Sequence, residues 1–348
     1  MKFSSITRTT AVVAALMAGV SSAAMAQSIT GAGSSFAAPL YGAWGKGAKA
    51  DIGVSLNYQS IGSGAGQNQI KARTVNFGAS DAPVAADKLA AAQELQFPTA
   101  IGAIVPIVNI PGVAPNQLKL SGEVLAEIYL GTITSWNDPK IVALNPGLTL
   151  PNLAIAPVHR ADASGTSFVF TSYLSAVDPA WKTKVGAATS VSWPLGSGAK
   201  GNAGVAGSVQ NESGGIGYVE FVYAAKNTLT TVELQNAAGV YVTATPASFM
   251  VAASNADWAH AKNFVANMLN TQGVQSWPIV SATYALVPEN PTDAAKSLAV
   301  LKFFDYGFSK GADVATSLYY INLPTSVEAA IRKSWAAIKG PDGAAIWK

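Results

Sequence analysis

The sequence predicts an α/β protein, and two observations support this fold class. Short runs of β-branched and apolar residues alternate along the chain with longer segments in which apolar residues recur at helical spacing. Hydrophobic residues make up 49% of the chain and charged residues 12%, which allows a well-buried core. Residues 27–348 are too many for one typical domain, so we expect two domains.

The first half of the chain contains a predicted βαβ unit. Residues 54–58 and 75–79 are expected strands on either side of a helix at 67–74. Residues 101–110 are expected to form a buried strand or strand pair, because this apolar run is too short to span a membrane as a helix. A further helix is predicted at 124–130.

The second half continues the alternation. A helix is predicted at 168–174 and a strand at 216–222. Amphipathic helices are predicted at 259–269 and 326–338. The apolar face of the last helix consists of Val327, Ala330, Ile331, Trp335 and Ile338.

Three turns rich in glycine and serine each precede a predicted helix. They are residues 30–36 (TGAGSSF), 60–66 (SIGSGAG) and 159–168 (HRADASGTSF). Backbone N–H groups at a helix start are unpaired and carry a partial positive charge, and glycine lets a ligand approach them closely. Three such turns, with Arg160 in the third, favour a site for a small tetrahedral anion.

Each of these segments also has an ordinary structural interpretation. Turns rich in glycine and serine usually bind no ligand. The third turn, taken alone, favours a helix cap at Asp162 or Ser164, with Arg160 on the surface. Asp81 follows a predicted strand in the string FGASDAP and, taken alone, favours a turn cap before Pro83.

Five strings carry a resemblance to a known family: TGAGSSFAAPLY, YQSIGSGAGQNQI, VNFGASDAP, HRADASGTSFVFTSYL and GGIGYVEF. In order and spacing they resemble the phosphate-binding proteins of bacterial high-affinity phosphate ABC transporters. The similarity extends from about Ile29 to the C-terminus, including residues 276–279 (SWPI) and 301–305 (LKFFD).

The resemblance implies the two-lobed fold of periplasmic binding proteins. In that fold each lobe is a mixed sheet flanked by helices, and hinge crossings join the lobes. Transferred to this chain, lobe I comprises residues 27–101 plus 273–348, and lobe II comprises residues 102–272. The crossings are then expected near residues 100–104 and 270–274. Because each wall of the cleft holds part of the site, we expect the two lobes to close over a ligand.

The resemblance also implies which residues bind phosphate. The expected ligands are Ser35, Phe36, Ser63, Asp81, Arg160, Ser164, Gly165 and Thr166. Hydroxyl and backbone N–H groups would donate to the phosphate oxygens, and Arg160 would add a charge-assisted contact.

Two aspartates have special roles in this scheme. Phosphate carries a proton at neutral pH and sulfate does not, so Asp81 is expected to accept the ligand's proton and to disfavour sulfate. The family pattern pairs Asp162 with Arg160, which would orient the guanidinium. His159 is expected at the rim of the site, and residues 198–202 (GAKGN) are expected to form a surface turn.

The first 26 residues have the pattern of a signal peptide. Lys2 and Arg8 precede an apolar segment, and Ala24-Met25-Ala26 is a typical cleavage site. We therefore expect an exported, periplasmic protein. The chain has no cysteine, so it forms no disulfide and carries no lipid anchor after this site. Without residues 1–26 the net charge of +3 falls by two, and with no basic tract nucleic acid is not an expected partner.

The predicted partners are inorganic phosphate and the inner-membrane permease of a phosphate ABC transporter, and a monomer is expected. No cofactor, metal or catalytic residue is expected.

Two alternative functions are a receptor for another tetrahedral oxyanion and a phosphate-ester hydrolase. Hydrolysis is disfavoured because His159 and His260 lack metal-ligand spacing, and Gly33-Ser34-Ser35-Phe36-Ala37 departs from a nucleophile elbow at its last position. A surface-adhesive role stays open at this stage.

Overall fold

The computed structural model describes residues 27–348. The expected signal peptide, residues 1–26, lies outside the described residues. In the described part of the chain, no helix combines the length and apolarity needed to cross a membrane.

The strands are short, apart from one that runs through the middle of the protein. They are β1 (Gln27–Gly33), β2 (Val54–Ser60), β3 (Phe77–Ser80), β4 (Glu94–Asn109), β5 (Lys119–Leu120), β6 (Ala156–Arg160), β7 (Ser197–Ala199), β8 (Gly215–Glu220), β9 (Thr230–Thr231), β10 (Glu233–Gln235), β11 (Tyr241–Val242) and β12 (Val280–Pro288).

Helices connect and cover these strands. They are α1 (Ala38–Ile52), α2 (Ser63–Lys71), α3 (Ala86–Ala92), α4 (Gly122–Leu130), α5 (Pro139–Leu144), α6 (Gly165–Val177), α7 (Pro179–Lys184), α8 (Gly201–Asn211), α9 (Phe221–Lys226), α10 (Pro246–Ser254), α11 (Ala294–Phe308), α12 (Ala312–Ser317) and α13 (Thr325–Ser334), with 3-10 turns at Lys262–Phe264 and Trp335–Ala337.

The main sheet is mixed, with the strand order β2-β1-β3-β12-β4-β8-β6-β7, and β9 also pairs with β4. β1 lies parallel to β2 and β3, whereas β12 runs antiparallel to both β3 and β4. Beyond β4, β6 lies parallel to β7 and β8. A separate small sheet has the order β11-β10-β5.

β4 joins the two lobes because it changes partner along its length. Its first part, as far as Ala103, pairs with β12, and its second part, from Ile104 to Asn109, pairs with β8. We use lobe I for the side that contains β1–β3 and β12, and lobe II for the side that contains β6–β8. The predicted strand or strand pair at 101–110 is thus part of one continuous strand as far as Asn109, where β4 ends.

Within the continuous hydrophobic core, each lobe has its own cluster of aromatic contacts. In lobe I, Phe304 packs edge-to-face against Phe77 and Phe97, with ring centroids 5.1 and 5.2 Å apart. In lobe II, Phe170 stacks on Tyr218 at 4.0 Å. These contacts pack α11 against β3 and β4 in lobe I and α6 against β8 in lobe II.

The structure confirms most predicted elements. The helices at 124–130 and 168–174 lie within α4 and α6, and the helix at 326–338 corresponds to α13 and the 3-10 turn after it, although Ala330 is exposed. The predicted βαβ unit is also present, with the helix shifted toward its N-terminus at Ser63–Lys71.

Two predicted elements are wrong in part or whole. The strand at 216–222 ends at Glu220, because the Glu220 carboxylate accepts a hydrogen bond from Val222 N–H and caps α9. The helix at 259–269 does not form beyond one 3-10 turn. There Asn263 has φ of 51°, and Leu269 pairs with Ile279 instead of continuing a helix.

Candidate functional site

The predicted site residues lie where strands of the main sheet end. Ser35 and Phe36 follow β1, and Asp81 follows β3, so these residues meet at one edge of lobe I because β1 and β3 are parallel neighbours. Arg160 is the last residue of β6 in lobe II. The carboxyl ends of strands are the usual location of ligand sites in open α/β sheets.

The two walls of the cleft touch at Gly165. A Cβ atom at this position would lie 2.5 Å from Ser63 Oγ and 2.6 Å from Asp81 N, which is closer than real Cβ atoms come. The Gly64 N–H also donates to the Ala163 carbonyl across the cleft at 2.9 Å. The structure is therefore closed, and glycine at 165 is what permits this approach.

Tyrosine hydroxyls hold the backbone of the first turn. The carbonyl oxygens of three successive residues each accept one such bond, at 2.6–2.7 Å: Tyr58 to Ser34, Tyr223 to Ser35 and Tyr320 to Phe36. The Phe36 ring is buried against Tyr320, so only the backbone of this residue is available to the cleft.

Asp81 is buried, and its two oxygens have different surroundings. Oδ1 accepts hydrogen bonds from the Ser34 and Thr283 hydroxyls, the latter at 2.8 Å, whereas Oδ2 lies 3.5 Å from Thr166 Oγ1. Burial raises the pKa of Asp81 from 3.8 to about 6, and the hydroxyl bonds and the charge of Arg160 limit the rise.

The alternative interpretation of Asp81 as a turn cap does not match this geometry. The Ser80 hydroxyl oxygen accepts the Ala82 N–H at 3.1 Å, so the cap belongs to the preceding residue. Asp81 instead presents one carboxylate oxygen to the cleft.

Arg160 is buried, with its side chain only 1% exposed, and not on the surface as the cap interpretation required. Its Nε donates to Asp162 Oδ1 at 2.8 Å, and Nη2 donates to Oδ2 of the same carboxylate. Nη1 is buried and has no hydrogen-bond partner within residues 27–348. One guanidinium nitrogen thus stays available to a ligand.

Asp162 holds this arginine in place. Burial acts to raise its pKa, but the hydrogen bonds and charge of Arg160, together with the Gly201 N–H, outweigh burial and lower the pKa of Asp162. Asp162 therefore stays ionised. Its carboxylate accepts from Arg160 and Gly201, and the N-cap of α6 is Ser164 instead.

Ser164 is the N-cap of α6, since its hydroxyl oxygen accepts the Ser167 N–H at 3.0 Å. Capping uses the oxygen as an acceptor and leaves its O–H free to donate. The cap interpretation and an anion-binding role are therefore compatible at this residue.

The expected surface turn at 198–202 is wrong. Gly198 and Ala199 belong to β7 and pair with β6, and α8 begins at Gly201. Asn202 is fully buried, and its side-chain Nδ2 donates to Ser35 Oγ at 2.9 Å and to Thr166 Oγ1 at 3.2 Å. Nothing in the sequence pattern marked this residue, because its partners are 167 and 36 positions away.

His159 stacks on Trp193 with ring centroids 4.8 Å apart and lies half-buried beside the site. His260 forms an exposed pair with Asp257. Among residues 27–348, no group of three or more His, Asp or Glu is placed to hold a metal ion.

The arrangement combines a buried guanidinium, several hydroxyl donors and a carboxyl whose pKa is raised by burial to about 6. It suits a small anion that carries a proton. Two α/β lobes closed over such a site define a solute-binding protein of the periplasmic type.

Comparison with known proteins agrees with this class. Residues 18–310 match the family model of the PBP superfamily domain. The phosphate-binding proteins PstS of Pasteurella multocida and Haemophilus influenzae are each 48% identical to this chain, over 93% and 90% of its length and 94% and 93% of theirs. The chain belongs to this superfamily and, within it, to the PstS family of phosphate-binding proteins.

Solved structures share the fold. A high-affinity periplasmic phosphate-binding protein named PfluDING, bound with phosphate, has a TM-score of 0.68 at 22% identity, over 89% of this chain and 94% of its own. A phosphate-binding protein from Stenotrophomonas maltophilia has a TM-score of 0.67 at 19% identity, over 88% and 93%.

Proposed function

We propose that this protein binds one inorganic phosphate in the cleft between its lobes and delivers it to the permease of a phosphate ABC transporter. The observation that carries the proposal is the buried Arg160, whose free Nη1 shares the closed cleft with the protonatable Asp81. The PstS relatives, similar over nearly the whole chain, support the same ligand.

The proposed ligands divide between the lobes. Ser35, Phe36, Ser63 and Asp81 come from lobe I, and Arg160, Ser164, Gly165 and Thr166 come from lobe II. Hydroxyl and N–H groups donate hydrogen bonds to unprotonated phosphate oxygens. Arg160 compensates the negative charge of the phosphate, and Asp81 accepts the ligand's proton. Hydrogen bonds to a charged group contribute about 1.5–3 kcal/mol each, so several together reach micromolar affinity or better.

Further parts of the proposal concern the protein's setting. We propose export to the periplasm with cleavage near Ala26, function as a monomer, and binding without catalysis. The lobes are proposed to divide at residues 27–101 plus 273–348 and 102–272. The change of partner in β4 between Ala103 and Ile104 supports the first crossing.

Calorimetric titration of ligand-stripped protein with phosphate and with sulfate tests the ligand. We expect one phosphate per chain and much weaker sulfate binding. The proposal would be overturned if millimolar phosphate gave no binding signal and left the melting temperature unchanged. Ligand at a hundredfold excess over Kd adds about 2.7 kcal/mol to the free energy of unfolding. Release of phosphate from an aryl phosphate ester would favour the hydrolase instead.

Small-angle scattering tests the lobes. Because the ligands come from two lobes, phosphate is expected to reduce the radius of gyration of the stripped protein. Identical profiles with and without phosphate would show that the lobes do not move at the proposed crossings.

A further inference from the structure

Asn202 lies at the start of α8 and bonds to both walls of the cleft. Its Nδ2 reaches Ser35 Oγ of lobe I and Thr166 Oγ1 of lobe II, and its backbone N–H also donates to Ser35 Oγ at 3.1 Å. Its Oδ1 accepts the Glu220 N–H at 2.9 Å, which fixes the amide orientation so that Nδ2 faces the two hydroxyls.

These contacts determine what the Ser35 hydroxyl can do. A hydroxyl has one donor and two acceptor positions. Asn202 occupies both acceptor positions of Ser35 Oγ, one through the backbone N–H and one through Nδ2. The Ser35 hydroxyl is therefore left with a single role, which is to donate its proton.

The Thr166 hydroxyl is constrained in the same direction. Nδ2 of Asn202 occupies one of its acceptor positions. Within residues 27–348 the only acceptor recorded for the Thr166 proton is Asp81 Oδ2, at 3.5 Å. That distance is at the limit for a hydrogen bond, so the proton is available to a closer acceptor.

We propose that Asn202 is a positioning residue of the anion site, which commits the Ser35 and Thr166 hydroxyls to donating toward unprotonated oxygens of the bound anion. The inference rests on the proposed function. Asn202 itself does not contact the anion in this scheme, because its side-chain donors and its backbone N–H are used within the protein. With Asn202 the ligand's proton is directed away from these hydroxyls and toward Asp81.

A double-mutant cycle between Asn202→Ala and Ser35→Ala tests this role by titration with inorganic phosphate. Each single variant is expected to weaken binding about tenfold or more. The double variant is expected to lose clearly less than the product of the two losses, because part of the effect of Asn202 is exerted through Ser35 and the rest through Thr166. Losses that multiply would overturn the inference, since an Asn202 that only stabilises the fold would act independently of Ser35.

The variant Asn202→Asp keeps the shape and the Glu220 contact, and so tests the same point if the alanine variant folds poorly. Its carboxylate cannot donate and would accept the Ser35 and Thr166 protons, so phosphate affinity is expected to fall at least as far. Asn211→Asp places the same charge at the other, exposed end of α8 and should bind phosphate normally. Normal binding by Asn202→Asp would contradict the inference, whereas failure of the wild-type protein to bind phosphate would contradict the proposed function instead.

Discussion

Tyr223 of lobe II donates its hydroxyl to the carbonyl oxygen of Ser35 in lobe I, over 2.6 Å. The bond crosses the cleft next to the proposed ligands, so we expect it to break when the lobes open. Burial raises the pKa of Tyr223 above its usual range, and the hydroxyl therefore remains a donor at every physiological pH. The closed form gains a contact that does not involve the ligand.

Removing this hydroxyl should make closure less favourable. We expect Tyr223→Phe to weaken phosphate binding by about two- to tenfold, because one net hydrogen bond contributes about 0.5–1.5 kcal/mol. Stopped-flow measurement should show the change mainly as faster release. The matched control is Tyr241→Phe, in the small sheet away from the cleft, and equal affinities for the two variants would contradict the assignment.

The sequence predicted the α/β class and most elements because apolar periodicity reflects which faces are buried. The pattern failed at residues 259–269, where contacts to distant segments replace the local helix. It also failed beyond Glu220, where a side-chain cap starts a helix inside an apolar run.

The candidate site was predictable to the extent that its residues lie in short strings with recognisable spacing. Asn202 and Thr283 could not be found in this way. Each acts through hydrogen bonds to residues far away in the chain, Asn202 to Ser35 and Thr283 to Asp81, and only the fold brings these partners together.

Arg160 should contribute strongly to affinity. Arg160→Ala removes a buried cation and leaves Asp162 without its partner, so we expect about a ten- to hundredfold loss of phosphate affinity, with faster release. Titration calorimetry measures the loss. The exposed Arg73 provides the control, since Arg73→Ala removes the same charge at a residue that is not among the proposed ligands. Unchanged affinity in Arg160→Ala would leave Arg160 with a purely structural role.

Asp81 should destabilise the ligand-free protein at neutral pH. Its pKa is about 6 in the folded state against 3.8 normally, so the folded state holds this proton more tightly than the unfolded chain does. The protonated carboxyl thus contributes to the free energy of unfolding. This contribution is fully present below pH 3.8 and is lost as the pH rises through 6. Above that pH the buried carboxylate costs about 3 kcal/mol as an upper value.

Urea unfolding of ligand-stripped wild type and Asp81→Asn measures this cost. Asparagine keeps the carbonyl oxygen that accepts from Ser34 and Thr283 and removes the charge. We expect the variant to be more stable by about 1–3 kcal/mol at pH 8, with a much smaller difference near pH 4. A difference that is the same at both pH values would show that ionisation of Asp81 is not its source.

The same substitution should change which anion is bound. In Asp81→Asn, Oδ1 retains its two hydroxyl donors, so the new Nδ2 takes the place of Oδ2 on the side that faces Thr166 and the cleft. The charge that repels a fully deprotonated anion is then gone, and an N–H group is present to donate to one. Phosphate should still bind, whereas sulfate binding should improve, so that the preference for phosphate shrinks about tenfold or more.

Parallel titrations of wild type and Asp81→Asn with both anions measure this ratio. The variant Asp87→Asn, in the first turn of α3, controls for loss of a carboxylate elsewhere. Equal ratios in wild type and Asp81→Asn would mean that Asp81 does not sense the proton of the ligand, and its contribution would then be limited to holding the Ser34 and Thr283 hydroxyls.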